Sequence, residues 1–266
     1  MLEKIVQVKR GEVVARRAAV PLRELKARIR DLPSPRDFHQ VLDRRSSGGQ
    51  IRLVAEVKRA SPSQGIIRDA FDLEELVRAY ARGGAAALSV LTDESFFQGS
   101  LADLARAKAS VSLPVLRKDF ILDPYQVYET RAGGADAILL ITAALEAHAL
   151  QDLLALAQDV GLHPVTEVHT REDLQTALGA KVPIVGINNR NLKTFRVSLE
   201  TTFALFPEIP DDRVVISESG ISHHADVARL AAAGLDAILV GEGLLRAGDV
   251  EGKVRELLGR ERGGSG

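Results

Sequence analysis

A chain of 266 residues, 45% hydrophobic and 27% charged with a formal net charge of −1, has material for one large core and no bulk electrostatic bias toward nucleic acid or anionic lipid. Its lack of cysteine excludes disulfides, thiolate catalysis and cysteine-bound metals, and fits a reducing compartment. No run approaches the roughly 18 apolar residues of a membrane span, and Met1-Leu2-Glu3-Lys4-Ile5-Val6 lacks the apolar core of a signal peptide, so a cytoplasmic protein that binds neither membrane nor nucleic acid is expected.

Residues 1–45 read as a helical extension packed on the domain that follows. The segment is basic (Lys4, Lys9, Arg10, Arg16, Arg17, Arg23, Lys26, Arg28, Arg30), with Leu22, Leu25 and Ile29 at helical spacing. A solvated helix face is the expected role of these charges, ahead of a local anion site. Ser46-Ser47-Gly48-Gly49 breaks the pattern, and eight β-type runs follow at intervals of about twenty to thirty-five residues. Their cores are Leu53–Ala55, Ala87–Leu91, Pro114–Leu116, Ala137–Ile141, Pro164–Thr166, Ile184–Ile187, Val214–Ile216 and Ala237–Val240. Near-continuous Val/Ile/Leu runs alternating with helical segments indicate a parallel sheet covered on both faces.

Three segments align without gaps: Arg82-Gly83-Gly84-Ala85-Ala86-Ala87-Leu88, Ala132-Gly133-Gly134-Ala135-Asp136-Ala137-Ile138 and Ala232-Ala233-Gly234-Leu235-Asp236-Ala237-Ile238. Each reads as a glycine helix stop followed by a short turn into a strand. Asp72-Leu73-Glu74-Glu75 has capping-box spacing, and Ser198 and Ser222 stand where helix N-caps belong. Eight such units predict an α/β fold, a closed (β/α)8 TIM barrel over residues 46–260 with the helical extension before it and a flexible tail at 261–266. The doubly wound alternative lacks its dinucleotide fingerprint, since Gly241-Glu242-Gly243 has no third glycine and follows the last strand.

Side chains alternate along a strand, so Glu56 and Lys58 share a face with Val54, and Lys118 shares one with Leu116. Charge on a core-facing stripe is costly unless it is paired or stands at a functional mouth. The same pattern recurs at Glu167, at Asn188 and Arg190, at Glu218 and Ser219, and at Gly241, always at the C-terminal end of an apolar run. In a barrel these positions converge on one face, where lysines and carboxylates shift one another's pKa values and supply a general acid and base. Ser219-Gly220-Ile221-Ser222 and Gly241-Glu242-Gly243 are glycine turns able to surround a phosphate with N–H groups, and Ser61 offers a hydroxyl nearby. Phe96, Phe97 and Phe120 read equally as core or as walls of an aromatic pocket. His163, His169, His223 and His224 have no metal-ligand spacing and read as solvated or capping.

Taken together, Glu56-Val57-Lys58-Arg59-Ala60-Ser61-Pro62-Ser63, Val90-Leu91-Thr92-Asp93-Glu94 with Phe96-Phe97-Gln98-Gly99-Ser100, Leu116-Arg117-Lys118-Asp119-Phe120, Glu167-Val168-His169, Gly186-Ile187-Asn188-Asn189-Arg190-Asn191-Leu192 and Ser217-Glu218-Ser219-Gly220-Ile221 closely resemble the indole-3-glycerol phosphate synthases of tryptophan biosynthesis. The resemblance implies a carboxy-lyase that needs no cofactor. Its small phosphorylated substrate, 1-(2-carboxyphenylamino)-1-deoxyribulose 5-phosphate, is cyclised, decarboxylated and dehydrated. By position it implies Lys118 as general acid in ring closure, Glu167 and Lys58 in later proton transfers, and Glu56 tuning Lys58. Asn188 and Glu218 would hold the sugar hydroxyls, and Arg190 the anthranilate carboxylate. Ser61, Ser219, Gly220 and Gly241 would serve the phosphate and Phe97 and Phe120 the aromatic ring, with the extension partly covering the pocket and no metal involved. Glu242 stands where the family often has a small hydroxyl residue, so it is left out of this set. A monomer is the expected state. A Schiff-base aldolase using Lys58 or Lys118, a phosphoribosylanthranilate isomerase and a non-catalytic phosphosugar-binding barrel are the competing readings.

Overall fold

The period-two alternation of the apolar runs carries through to the architecture. The computed structural model describes residues 1–62, 65–66, 72–192 and 194–260; Ser63 of the first motif and the tail 261–266 lie outside them. The parallel strands are β1 (Arg52–Val57), β2 (Ala87–Leu91), β3 (Val115–Lys118), β4 (Ala137–Ile141), β5 (His163–Val168), β6 (Ile184–Asn188), β7 (Val214–Glu218) and β8 (Ala237–Val240). Each pairs with the next in chain order, and β8 returns to β1 in the register Arg52↔Ala237 to Ala55↔Val240, so the barrel is closed. No described helix is long and apolar enough to cross a membrane.

One side of each strand fills the barrel and the other meets the helices. Val54, Leu116, Leu139, Val165, Ile184, Ile216 and Leu239 belong to the interior cluster. Leu53, Ala55, Val57, Leu88, Val90, Ile138, Val185 and Ile187 belong to the layer under the helices. Burying one such side chain stabilises by about 1.5–3 kcal/mol, and a one-residue slip of β1 would turn Glu56 into the apolar helix layer. Register is thereby specified by the pattern itself.

The N-terminal segment contributes α1 (Leu2–Ala19), α2 (Leu22–Arg30) and α3 (Phe38–Leu42). Phe38 and Leu42 are fully buried and plug the end of the barrel where the strands begin. Two aligned aspartates of the internal repeat fasten the segment there. Asp136 accepts the N–H groups of Val115 at 2.7 Å and Arg36 at 2.6 Å, and Asp236 accepts those of Val215 at 2.9 Å and Arg44 at 3.2 Å. The aligned glycines Gly84, Gly134 and Gly234 have φ of +100°, +85° and +105°, the left-handed stop the repeat predicts.

Of the helix starts, Asp72 caps α4 (Leu73–Gly83) through the Glu75 N–H at 3.0 Å. The two serines do not cap. The helix Glu200–Leu205 starts after Leu199, and Ser198 contributes its carbonyl to Thr201 N–H. Ser222 lies one residue before His223, the N-cap of the helix His224–Ala233, because Asp226 reaches back to both N–H groups at 3.0 Å and fixes the start there.

The basic N-terminal face also needs correction. Lys4, Arg10, Arg17, Arg23, Lys26, Arg28 and Arg30 are exposed as expected, but Lys9 is fully buried and Arg16 half-buried. Lys9 Nζ lies 2.7 Å from Asp93 and 2.9 Å from Asp119, and Arg16 lies 3.3 Å from Glu129. Here α5 is Glu94–Phe97, α6 Leu101–Ser110 and α7 Pro124–Ala132. Helical spacing could not separate Lys9 from its solvated neighbours, because its partners come from the loops after β2 and β3.

Asp119 is the hub of this contact. Burial would raise its pKa, but Arg117 and Lys9 outweigh burial and hold the carboxyl at about 2, below its ordinary 3.8. A depressed carboxyl stabilises the fold above its unfolded pKa, and that contribution is lost as pH falls through the folded value. On the order of 2 kcal/mol is therefore expected to disappear as pH drops from 3.8 toward about 2. Urea-unfolding midpoints followed through this window should fall more steeply for the wild type than for Asp119→Asn.

Candidate active site

Each strand whose inward stripe starts apolar and ends polar delivers polar groups to the barrel mouth. From β1, Glu56 points inward, and Lys58 just beyond the strand returns to it, Nζ to Oε1 at 2.8 Å. From β3, Lys118 Nζ lies between Glu167 Oε2 of β5 at 2.7 Å and Glu218 Oε2 of β7 at 2.5 Å. Asn188, the last residue of β6, donates to Glu167 Oε1 at 3.2 Å and accepts from the Ser219 hydroxyl at 2.9 Å.

Two glycines make room for this packing. A Cβ on Gly241 would stand 2.5 Å from Glu56 Oε1, and one on Gly186 of β6 would collide with Glu218 Oε1. The turn after β7 runs through two left-handed residues, Ser219 at φ +69° and Gly220 at φ +81°. That conformation is uncommon for serine and turns the backbone across the mouth of the barrel.

A cavity of about 480 Å³ opens above these groups. Glu56, Lys58, Ser61, Phe97, Lys118, Phe120, Glu167, Asn188, Arg190, Glu218, Ser219, Gly220 and Gly241 all line it, whereas Phe96, also read as a possible wall, is half-buried and does not. Met1, with Leu2 and Ile5 of α1, adds an apolar roof on one side. Phe97 and Phe120 stand with ring centroids 6.2 Å apart and planes tilted by 37°. Arg190 borders the cavity with no ion-pair partner among the described residues. After β8, Glu242 also lines the cavity, where it pairs with Arg246 at 3.0 Å.

Charge in the mouth is distributed unevenly. Burial would lower the Lys118 pKa, but Glu167 and Glu218 outweigh it and hold the ammonium above its usual value. Burial would raise Glu167, yet Lys118 and His169 keep it well below the carboxylate range. For Glu218 burial prevails: it is pushed up to about 7, against the pull of Lys118 and with the help of Glu167. One ammonium thus serves two carboxylates, and the second takes a proton near neutrality.

Sequence reasoning missed His169. Its side chain is buried, with Nε2 at 3.2 Å from Glu167 Oε1 and Nδ1 at 3.8 Å from Asp173, so the solvated or capping reading does not hold. The signal was present, since His169 is two residues beyond Glu167 and continues its inward stripe. His223 does stand at an N-cap, and His163 is half-buried 3.8 Å from Asp37. His224 is exposed, with Nδ1 at 3.0 Å from the Leu257 carbonyl. The loop after β6, with Leu192, Phe195 and Val197 against the cavity, was also not anticipated; its apolar residues lack any period.

Comparison with known proteins adds an independent line. Structures similar to this chain include a thiamine phosphate pyrophosphorylase from Pyrococcus furiosus, with TM-score 0.56 and 18% identity over 79% of this chain and 94% of that one. KGPDC from Streptococcus mutans matches with TM-score 0.57 and 13% identity over 78% of this chain and 95% of that one. At such identities the likeness shows the barrel fold alone. A family model described as indole-3-glycerol phosphate synthase matches residues 2–257. An indole-3-glycerol phosphate synthase from Aromatoleum aromaticum is 49% identical over 259 residues, covering 97% of this chain and 99% of the relative. By the match from residue 2 to residue 257 and the 49% identity over 97% of its length, the chain belongs to the indole-3-glycerol phosphate synthase family.

Proposed function

We propose that the chain converts 1-(2-carboxyphenylamino)-1-deoxyribulose 5-phosphate into indole-3-glycerol phosphate, carbon dioxide and water. The observation that carries the reading beyond family membership is the Lys118 ammonium held between Glu167 and Glu218 in a cavity with an aromatic wall on one side and glycine turns on the other. In ring closure, the aromatic carbon bearing the carboxylate bonds to the ribulose carbonyl carbon. Lys118 protonates the carbonyl oxygen as it becomes a hydroxyl, and the aniline nitrogen becomes an iminium. Loss of carbon dioxide returns an electron pair to the ring. The hydroxyl then leaves as water with protonation by Lys58, and the Glu167 carboxylate takes the proton from the adjoining carbon.

Each assignment follows from what a group is able to do where it stands. Lys118 is a cation at neutral pH and points into the cavity, as a proton donor must. Glu56 holds Lys58 at 2.8 Å and fixes its direction. Asn188 and Glu218 offer amide and carboxyl groups to the sugar hydroxyls. The Arg190 guanidinium suits the anthranilate carboxylate, which it binds with two parallel hydrogen bonds. The Ser61 hydroxyl and the turns at Ser219, Gly220 and Gly241 serve the phosphate. Phe97 and Phe120 flank the ring.

A Schiff-base aldolase fits less well, because a nucleophilic lysine needs its pKa lowered and two carboxylates against Lys118 act in the opposite sense. The expectations of a cytoplasmic monomer that binds neither nucleic acid nor membrane belong to the same proposal.

The direct test incubates purified protein with the carboxyphenylamino-deoxyribulose phosphate and follows indole fluorescence, against a chain that contains no tryptophan. Lys118→Ala should keep its circular dichroism and lose on the order of a hundredfold or more in kcat; near-normal turnover would remove Lys118 from the mechanism. Arg190→Ala should raise KM with little change in kcat, and an unchanged KM would refute the carboxylate role. A pH effect follows from Glu218. Above its midpoint at about pH 7 it is charged, tightens its hold on the ammonium and makes Lys118 the weaker acid. Single-turnover ring closure should therefore slow as pH rises through that midpoint, and Glu218→Gln should abolish the step.

A further inference from the structure

We propose that Lys9 is a positioning residue for the reaction, setting the aromatic walls of the cavity and the end of β3 from behind. The inference rests on the functional reading above and names what holds that site in shape. Lys9 is on α1, fully buried, with Nζ at 2.7 Å from Glu12 Oε2, 2.7 Å from Asp93 Oδ2 and 2.9 Å from Asp119 Oδ1.

The two aspartates are built into the walls. Asp93 Oδ1 accepts the N–H groups of Phe96 at 2.7 Å and Phe97 at 3.2 Å, which starts α5 and places the Phe97 ring. Asp119 Oδ1 accepts the Phe120 N–H at 2.8 Å, and its Oδ2 accepts from the Thr92 hydroxyl at 2.6 Å and Arg117 at 2.9 Å. One ammonium therefore joins the two carboxylates that orient the two phenylalanines, and one of these directly follows Lys118. Arg117 pairs with Glu129 at 2.9 Å, and Glu129 pairs with Arg16 of α1 at 3.3 Å, closing a circuit between α1, β3 and α7.

Without the ammonium, Asp93 and Asp119 face each other as carboxylates in a dry space, and one must move or take a proton. Either response shifts a wall. Displacement of a reacting group by about 1 Å can cost a hundredfold in rate. The start of α1 also supplies Leu2 and Ile5 to the cavity beside the preceding Met1, so roof and walls share one tether.

The test uses the full-length chain with Lys9→Met, which keeps length and removes charge, and Lys9→Arg, which keeps charge. Steady-state kinetics are read beside fluorine NMR of protein labelled with 4-fluorophenylalanine, the signals being assigned by Phe97→Leu and Phe120→Leu. Lys9→Met is expected to raise KM about tenfold or more and to lower kcat several-fold. It should move the Phe97 and Phe120 signals while those of Phe203 and Phe206, on the far side of the barrel, stay in place. Lys9→Arg should restore KM to within about threefold. Unchanged kinetics and unchanged signals would overturn the proposal, and so would a lowered Tm with normal KM, which is what a purely structural lysine gives. If Lys9→Met fails to fold, Asp93→Asn, which keeps the helix cap and loses the charge, is judged by the same two readouts. If the wild type makes no indole product, the functional reading fails by itself, and the selective fluorine shifts still decide whether Lys9 sets the walls.

Discussion

Everything in this protein depends on one geometric constraint: side chains on a strand alternate, and closing eight parallel strands makes one of the two sets interior. Inward stripes that are apolar at the start of a strand and polar at its end cannot be satisfied by a uniform core. Their apolar part fills the barrel, as Val54, Leu116, Val165 and Ile216 do. Their polar part has to meet, and Glu56, Lys118, Glu167, Asn188 and Glu218 meet at the mouth. The site is a consequence of closure, and no single loop creates it. Outward positions obey the same rule from the other side, which is why the buried Arg117 of β3 needs Thr92, Asp119, Thr130 and Glu129 around it.

Charge balance in the mouth then follows from burial. A lysine between two carboxylates satisfies one of them fully and leaves the second poised near neutrality, so the free site carries less negative charge than its residues suggest. Lys58 is matched by Glu56, while Arg190 has no ion-pair partner among the described residues. Such a cavity favours a ligand with anionic ends. In the proposed reaction those are the carboxylate that departs as carbon dioxide and the phosphate that remains. The same enclosure sharpens each electrostatic contact by removing water.

The N-terminal segment is fastened at both ends of the barrel, by different chemistry. At the strand starts, Phe38 and Leu42 insert as an apolar plug, and Asp136 and Asp236 take backbone N–H groups of Arg36 and Arg44. At the mouth the attachment is ionic, through Lys9, Arg16 and Arg17 to Asp93, Asp119, Glu129 and Asp123. A buried ion pair holds its partners close, because moving either one away leaves an uncompensated buried charge. The division is functional in its consequence: the apolar end holds the extension on, and the ionic end determines where its first turn stands against the cavity.

The amino-acid sequence by itself determined the barrel, since eight apolar runs, a glycine repeat and charge at the strand ends are local signals, and periodicity converts each directly into a face. It also determined which groups share the mouth, because period two along a strand and closure of the sheet leave them no other place. Tertiary structure alone decided the pairings. That Lys118 sits between Glu167 and Glu218, and that Lys9 is buried against Asp93 and Asp119 while Arg10 beside it is exposed, are contacts between segments distant in sequence. The helix N-cap at His223 in place of Ser222 is a local matter, decided by the reach of Asp226 back across three residues. Local pattern fixes the direction of a side chain from its own backbone. What that side chain meets depends on how the remainder of the chain closes around it.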